Sequence, residues 1–206
     1  MEPKNNCKLC KRLVKFRNKN KVLFPGFFNN RVLGTGPINS NLLIVGLAPG
    51  LKGANRTGIP FEGDFSGELL LDLLFKNRLL IDSNKSKESK NLMCRITNAV
   101  KCLPPKNKPN TLEIKQCNTF LKAEIYRMIN LKVILTLGEI AHKSTILALN
   151  KKVSEYKFQH FAKHVITKKI LLINSYHCSK YNINTKKLNI SDLDKIFRYI
   201  KNLLSL

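Results

Sequence analysis

The sequence predicts an α/β protein, a three-layer α/β/α sandwich around a central four-stranded parallel sheet. Three observations predict it. Short continuous apolar runs recur along the chain, segments with helical spacing alternate with them, and the segments richest in glycine and polar residues directly follow the runs. Apolar runs without polar alternation suit strands covered on both faces, as in a parallel sheet. Strand–helix alternation lays helices on both sides of such a sheet.

The first strand is Leu42–Gly46, which stops at glycine. A helix follows over Gly67–Leu80, with Leu69, Leu70, Leu73 and Leu74 on one face and Ser66 or Asp64 available as its cap. Ile96–Lys101 alternates weakly and gives the second strand. Thr111–Ile129 is helical in pattern through Ile114, Phe120, Leu121, Ile125 and Met128. Val133–Leu137 is the third strand, and Glu139–Leu149 is the helix after Gly138. Ile170–Asn174 is the fourth strand. Ser191–Leu204 closes the pattern, with Ser191 as candidate cap. The Ser/Lys/Asn run Asp82–Asn91 reads as a surface loop. At 206 residues, one domain over 1–206 is expected. In open α/β sheets ligands bind at the carboxyl ends of strands. That directs attention to Leu47–Gly63, to Asn98–Pro105 and to Ser175–Thr185.

Charge suggests the partner class. Lys and Arg number 37 against 13 Asp and Glu, a formal net charge of +24. Such an excess points to a polyanion, most often nucleic acid, bound in a salt-dependent way. An AT-rich genome would also enrich Lys, Asn and Ile, so charge alone does not decide. The basic residues lie on no amphipathic helix, which argues against a membrane surface. Met1–Asn20 has no apolar central run, and the longest apolar stretches are too short to cross a bilayer. A soluble, monomeric, cytoplasmic protein associated with the nucleoid is expected.

Of six cysteines, Cys7 and Cys10 form a C-x2-C pair, and Cys102 and Cys117 can complete a tetrahedral thiolate set. Spacing alone favours zinc over an iron–sulfur cluster, and leaves buried apolar cysteines as a third reading. Cys94 and Cys178 are single thiols. Cys178 beside His177 has no third group to orient it as a nucleophile.

The most distinctive stretch runs from Gly46 to Gly67. Its glycines permit close backbone approach to a ligand, and it leads from a strand into a helix. It matches neither the dinucleotide fingerprint nor the phosphate-binding loop. Gly46-Leu-Ala-Pro-Gly50, Gly53-Ala-Asn-Arg-Thr-Gly58 and Phe61-x-Gly-Asp-x-Ser-Gly67 resemble the first motif of the family 5 (type b) uracil-DNA glycosylases. Asn98-Ala-Val-Lys-Cys102 through Pro109 resembles the next signature of that family. Ser175-Tyr-His-Cys-Ser179 with Asn182-x-Asn-Thr185 resembles its C-terminal histidine motif. Leu47 stands where family 4 enzymes carry Glu, and Ala48 where family 1 enzymes carry Asp. Departures are Ile59 for Arg, Cys178 for Pro, and Lys186-Lys187 for Gly-Arg.

The resemblance implies a base-excision repair enzyme that flips uracil out of DNA and hydrolyses its N-glycosidic bond, leaving an abasic site. It extends this to other deaminated bases such as hypoxanthine. It also implies a [4Fe–4S] cluster on Cys7, Cys10, Cys102 and Cys117 in place of zinc. A flipped base would stack on Phe61 and meet Asn98, the backbone at Leu47 and Ala48, and His177. His177 would stabilise the departing anion. Asn55, then Asp64, are candidates for holding the water, with a capping role open for Asp64. Arg56, Ser179, Lys180 and Tyr181 would touch the DNA. The rivals are a family 4-like enzyme restricted to uracil, a non-enzymatic, zinc-containing nucleic-acid-binding module, and a degenerate relative that has lost catalysis.

Overall fold

Apolar side chains alternate between the two faces of the sheet from the first strand onward. In the computed structural model, which describes residues 2–80 and 93–205, β1 (Leu42–Gly46) sends Leu42 and Ile44 into one core and Leu43 and Val45 into another. The run Asp82–Asn91, read above as a loop, lies outside the described residues. β2 (Arg95–Asn98), β3 (Val133–Leu137), β4 (Lys163–Val165) and β5 (Leu171–Ser175) complete a sheet of order β2-β1-β3-β5-β4. The β1–β2, β1–β3 and β3–β5 pairs are parallel.

The sheet therefore has five strands among the described residues, where four were expected. The addition is β4, three residues antiparallel to β5 at the edge. Lys163-His164-Val165 is exposed at both ends and carries no apolar run, so hydrophobic patterning does not register it. A short, lysine-bearing strand is what sheet edges tolerate.

The helices are α1 (Lys11–Leu23), α2 (Ala54–Thr57), α3 (Phe65–Lys76), α4 (Thr111–Arg127), α5 (Glu139–Ala148), α6 (Lys180–Asn184) and α7 (Ile190–Leu204). α3 and α7 cover one face through Leu70, Leu74, Ile196 and Phe197. α4 and α5 cover the other through Leu121, Ile125, Ala141 and Ile146. The three-layer sandwich is thus as predicted. Asp64, not Ser66, caps α3, its Oδ1 accepting from Gly67 N at 3.1 Å. Ser191 lies inside α7, whose cap position is Asn189. Asn110 and Glu113 form a reciprocal capping box on α4.

α1 is an element that the sequence reading omitted. It buries only Leu13, Arg17 and Asn20. With one apolar side chain inward, it lacks the stripe that periodicity detects. No helix among the described residues is long and apolar enough to cross a membrane.

Candidate active site and cysteine pocket

The chain leaves β1 at Gly46 and β2 at Asn98, side by side in the sheet. Beyond the strands the two segments stay laced together, Ala99 N donating to Gly46 O and Val100 N to Leu47 O, both at 2.9 Å. Gly46 has no room for a side chain. A Cβ there would stand 2.5 Å from Asn98 Oδ1 and 2.6 Å from the Phe61 ring. Glycine thus lets the Phe61 ring and the Asn98 carboxamide close over the strand end. Phe61 is 8% exposed and takes a left-handed backbone, φ 55°. That conformation is strained for a bulky residue and turns the ring inward.

β5 supplies the opposite side. Ser175 ends the strand and His177 follows two residues on, its ring centroid 6.2 Å from that of Phe61 and inclined by 25°. The two rings face each other loosely rather than in tight stacking. Asn182 Nδ2 donates to His177 O at 2.7 Å and holds this turn. Burial lowers the imidazole pKa, and the Asp64 carboxylate pulls it upward. The neutral ring is therefore favoured, with a carboxylate near enough to influence it.

Asn98 is 3% exposed. Its carboxamide has no hydrogen-bond partner among the described residues. The fully buried, unpartnered side-chain atoms among the described residues are Ser144 Oγ and His160 Nε2, whereas the Asn98 amide keeps some access to solvent and is available to a ligand. A carboxamide offers a donor and an acceptor together.

Asp64 spends Oδ1 on the α3 cap and turns Oδ2 toward the Gly50–Gly53 backbone, leaving no room for a Cβ at Gly53. Asn55 is buried, and its Nδ2 donates to Asn29 Oδ1 at 2.9 Å. Asn29 in turn donates to the carbonyls of Asn20, Phe24 and Phe27. Of the two water-holding candidates, Asn55 is therefore committed at its nitrogen end to the scaffold, whereas Asp64 is the one that acts electrostatically on His177.

The expected DNA contacts divide. Lys180 and Tyr181 open α6 and are exposed, Tyr181 at 73%. Ser179 is the α6 cap, its Oγ accepting from Asn182 N at 3.3 Å. Arg56 is tied to its own loop, Nε donating to Lys52 O at 2.8 Å and Nη2 to Gly63 O at 3.1 Å. It braces the glycine-rich segment. Of the departures, Lys187 lies over the Tyr176 ring at 5.0 Å, and Cys178 is fully buried with its thiol directed at Ser66 O, 3.5 Å away.

A second pocket lies beside the first. Cys7, Cys10, Cys102 and Cys117 all line it, together with Leu13, Val100 and Phe120. Ala48, at the start of the glycine-rich segment, packs against this group. Burial pushes the Cys10 thiol up to about 12, and Cys117, Cys102, Glu113 and Cys7 add to the rise. Burial and Cys117 raise Cys102 to about 11 against the opposing pull of Arg17. Burial, with neighbouring sulfurs adding to it, thus opposes ionisation of Cys10, Cys102 and Cys117 in one pocket. A cationic inorganic group would reverse that opposition, and thiolates suit iron–sulfur or zinc. Lys101 N already donates to Cys117 Sγ at 3.2 Å, the kind of N–H···S contact that supports a metal-bound thiolate. The donor set therefore fits such a group. Among the described residues, no three His, Cys, Asp or Glu side chains are gathered so as to hold one metal ion.

Sequence reasoning missed Arg17, Asn29 and the buried acid Glu124, which receives Arg95 Nε at 2.6 Å and Lys101 Nζ at 2.8 Å. The available signal for Arg17 was its helical spacing, seven residues beyond Cys10 on one helix face.

Comparison with known proteins agrees with this layout. The family model described as "Uracil DNA glycosylase superfamily" matches residues 33–201. A type-5 uracil-DNA glycosylase of Thermus thermophilus is 34% identical, over 88% of this chain and 86% of its own. One from Pyrobaculum aerophilum is 33% identical, over 94% and 87%. A type-4 uracil-DNA glycosylase of Saccharolobus solfataricus is 31% identical, over 97% and 82%. With Leu47 and Ala48 opening its glycine-rich segment and such relatives aligned along nearly its whole length, this chain belongs to the uracil-DNA glycosylase superfamily, in its type-5 branch.

Proposed function

We propose that this protein removes uracil from DNA by hydrolysing the N-glycosidic bond of a flipped nucleotide, working as one domain over residues 1–206. The observation that carries the reading is the unpartnered, buried Asn98 carboxamide beside the Phe61 ring and across from His177. Phe61 offers the base a stacking face, and Asn98 a donor–acceptor pair for its edge. The backbone at Leu47 and Ala48 closes the remaining side.

Bond cleavage leaves negative charge on the departing uracil and positive character at C1′. His177, held neutral by burial, donates an N–H to the uracil oxygen where that charge collects. Water adds at C1′ and its proton passes to solvent. Asp64, with Oδ2 unused by its cap, is the better placed partner for that water and for the sugar cation. Asn55 is second, through its free Oδ1. Lys180 and Tyr181, on the exposed start of α6, meet the DNA, with Ser179 setting that helix start and Arg56 bracing the opposite loop.

Cys7, Cys10, Cys102 and Cys117 are the residues that would hold a [4Fe–4S] cluster. Bound there, the group would supply a covalent tie between the N-terminal segment, the loop after β2 that carries Cys102 and α4 that carries Cys117. Tetrahedral zinc would bring four sulfurs to about 3.8 Å from one another, whereas among the described residues these thiols line a pocket without gathering on a single-ion point. Acceptance of hypoxanthine as a second base rests on the resemblance of the motifs around Gly46, Asn98 and His177 to family 5 enzymes. A monomer acting on nucleoid DNA in the cytoplasm fits the net charge of +24.

Base release is measured on duplexes carrying U·G and then hypoxanthine, with abasic sites cleaved by alkali. Release from U·G by the native chain and its loss in His177→Ala are expected. Full activity in His177→Ala overturns the assignment of that residue, and no release by the native chain overturns the enzyme reading. Release from U·G alone would favour a uracil-restricted enzyme.

A further inference from the structure

We propose that Arg17 is the built-in counter-charge of the four-cysteine pocket, and that it sets the reduction potential and the retention of the cluster held there. The inference rests on the cluster reading above. Arg17 projects from the inner face of α1 and is 9% exposed. Its Nη2 donates to Cys7 O at 3.2 Å, and its Nη1 points at Cys102 Sγ from 4.0 Å. One guanidinium thus spans the two halves of the ligand set, the N-terminal pair and the later pair.

The other fully buried cations nearby have acids, as does the more exposed Arg12, whereas the half-buried Arg31 donates to the Pro3 carbonyl at 2.6 Å. Arg12 pairs with Glu113 at 2.6 Å, and Arg95 and Lys101 share Glu124. Arg17 has no carboxylate within ion-pair distance among the described residues. A cation this buried is kept only opposite an anion. Among the described residues, the feature that it faces is the cysteine pocket, whose sulfurs become anionic when they hold a cluster. Four thiolates around a doubly charged iron–sulfur core leave a net dianion, and reduction by one electron adds a further negative charge. Arg17 then stabilises the bound cluster and its reduced form most of all. Its planar fork suits two acceptors at once, which an ammonium cannot match.

The test compares the native chain, Arg17→Lys, Arg17→Gln and Arg17→Met, all purified anaerobically. Iron content, visible absorbance, midpoint potential and the rate of bleaching in air are measured. The neutral variants are expected to bleach faster in air and to retain the cluster about 10- to 100-fold less tightly, the usual loss of metal affinity when an outer-shell partner is removed. Their potentials are expected to fall, a tenfold change in the redox equilibrium being about 59 mV for one electron. Arg17→Lys is expected to keep a near-native potential. If Arg17→Gln does not fold, Arg17→Met supplies the neutral case. Native potential and bleaching in a neutral variant overturn the proposal, as does an equal shift in Lys and in the neutral variants, which would assign the effect to packing of the stem. A native chain without iron would instead overturn the cluster reading itself.

Discussion

Two polar groups are buried at the carboxyl half of β2, and the protein treats them in opposite ways. Glu124 reaches the strand from α4 and meets Arg95 Nε at 2.6 Å, Thr97 Oγ1 at 2.9 Å and Lys101 Nζ at 2.8 Å, while Lys101 also donates to Thr97 Oγ1. Asn98, one residue on and directed to the other face, meets no protein partner among the described residues. The first group is saturated and holds two segments together. The second is left open by the same strand. Saturation marks what the fold needs from polarity, and vacancy marks what it reserves for a ligand.

The comparison breaks most readily at its saturated side. Glu124→Ala leaves buried Lys101 without an acid and Arg95 with only Glu2 at 4.0 Å, and is expected to cost about 3–5 kcal/mol of stability, read as a lowered midpoint in urea. An unchanged midpoint would remove the network from the stability of the fold. On the open side, His177→Ala is expected to slow single-turnover base release by about 10²–10³-fold while leaving the urea midpoint nearly in place. Asn98→Ala follows, at about 10–100-fold in the same assay, the loss of one hydrogen-bonding group at a buried edge. A large stability loss with intact catalysis in Asn98→Ala would make the amide structural and erase the contrast.

The gentlest probe is pH. Burial alone would raise the Glu124 carboxyl, but Lys101 and Arg95 outweigh it and hold it below the ordinary 4.5. A depressed carboxyl contributes stability that is complete above its unfolded pKa and disappears as pH falls through the folded value. Acid unfolding is therefore expected to begin below pH 4.5, and Glu124→Gln is expected to flatten stability across that range. A steeper acid slope in the Gln variant would assign the dependence to other carboxylates.

Most of the sheet was legible because its strands are apolar throughout: Leu42–Gly46 and Val133–Leu137 appear as read. The second strand ends at Asn98, earlier than expected, because the N–H groups of Ala99 and Val100 turn to Gly46 and Leu47. α1 and β4 escaped notice because neither carries an apolar period. The site was legible where its parts are contiguous motifs after strands, as with Gly46, Asn98 and His177. It was not legible where partners are far apart in sequence. Arg17 and Cys102 are 85 positions apart, and Arg95 and Glu124 are 29 apart. The commitment of Asn55 to Asn29 belongs to the same class, since nothing local distinguishes an asparagine that holds a water from one that holds a loop.

The sparse underside of α1 bears on how the molecule matures. A helix of 13 residues with one apolar side chain inward is marginal alone. Its inward polar groups, Arg17 and Asn20, lie toward the cysteines and toward the Asn29 turn that grips Asn55. The sheet and its four flanking helices can collapse on apolar contacts as soon as they are synthesised. The N-terminal segment instead relies on polar sockets that the rest of the fold supplies. α1 thereby links the cysteine pocket to the Asn29 turn and, through Asn55, to the glycine-rich segment, so loosening this helix is expected to disturb both.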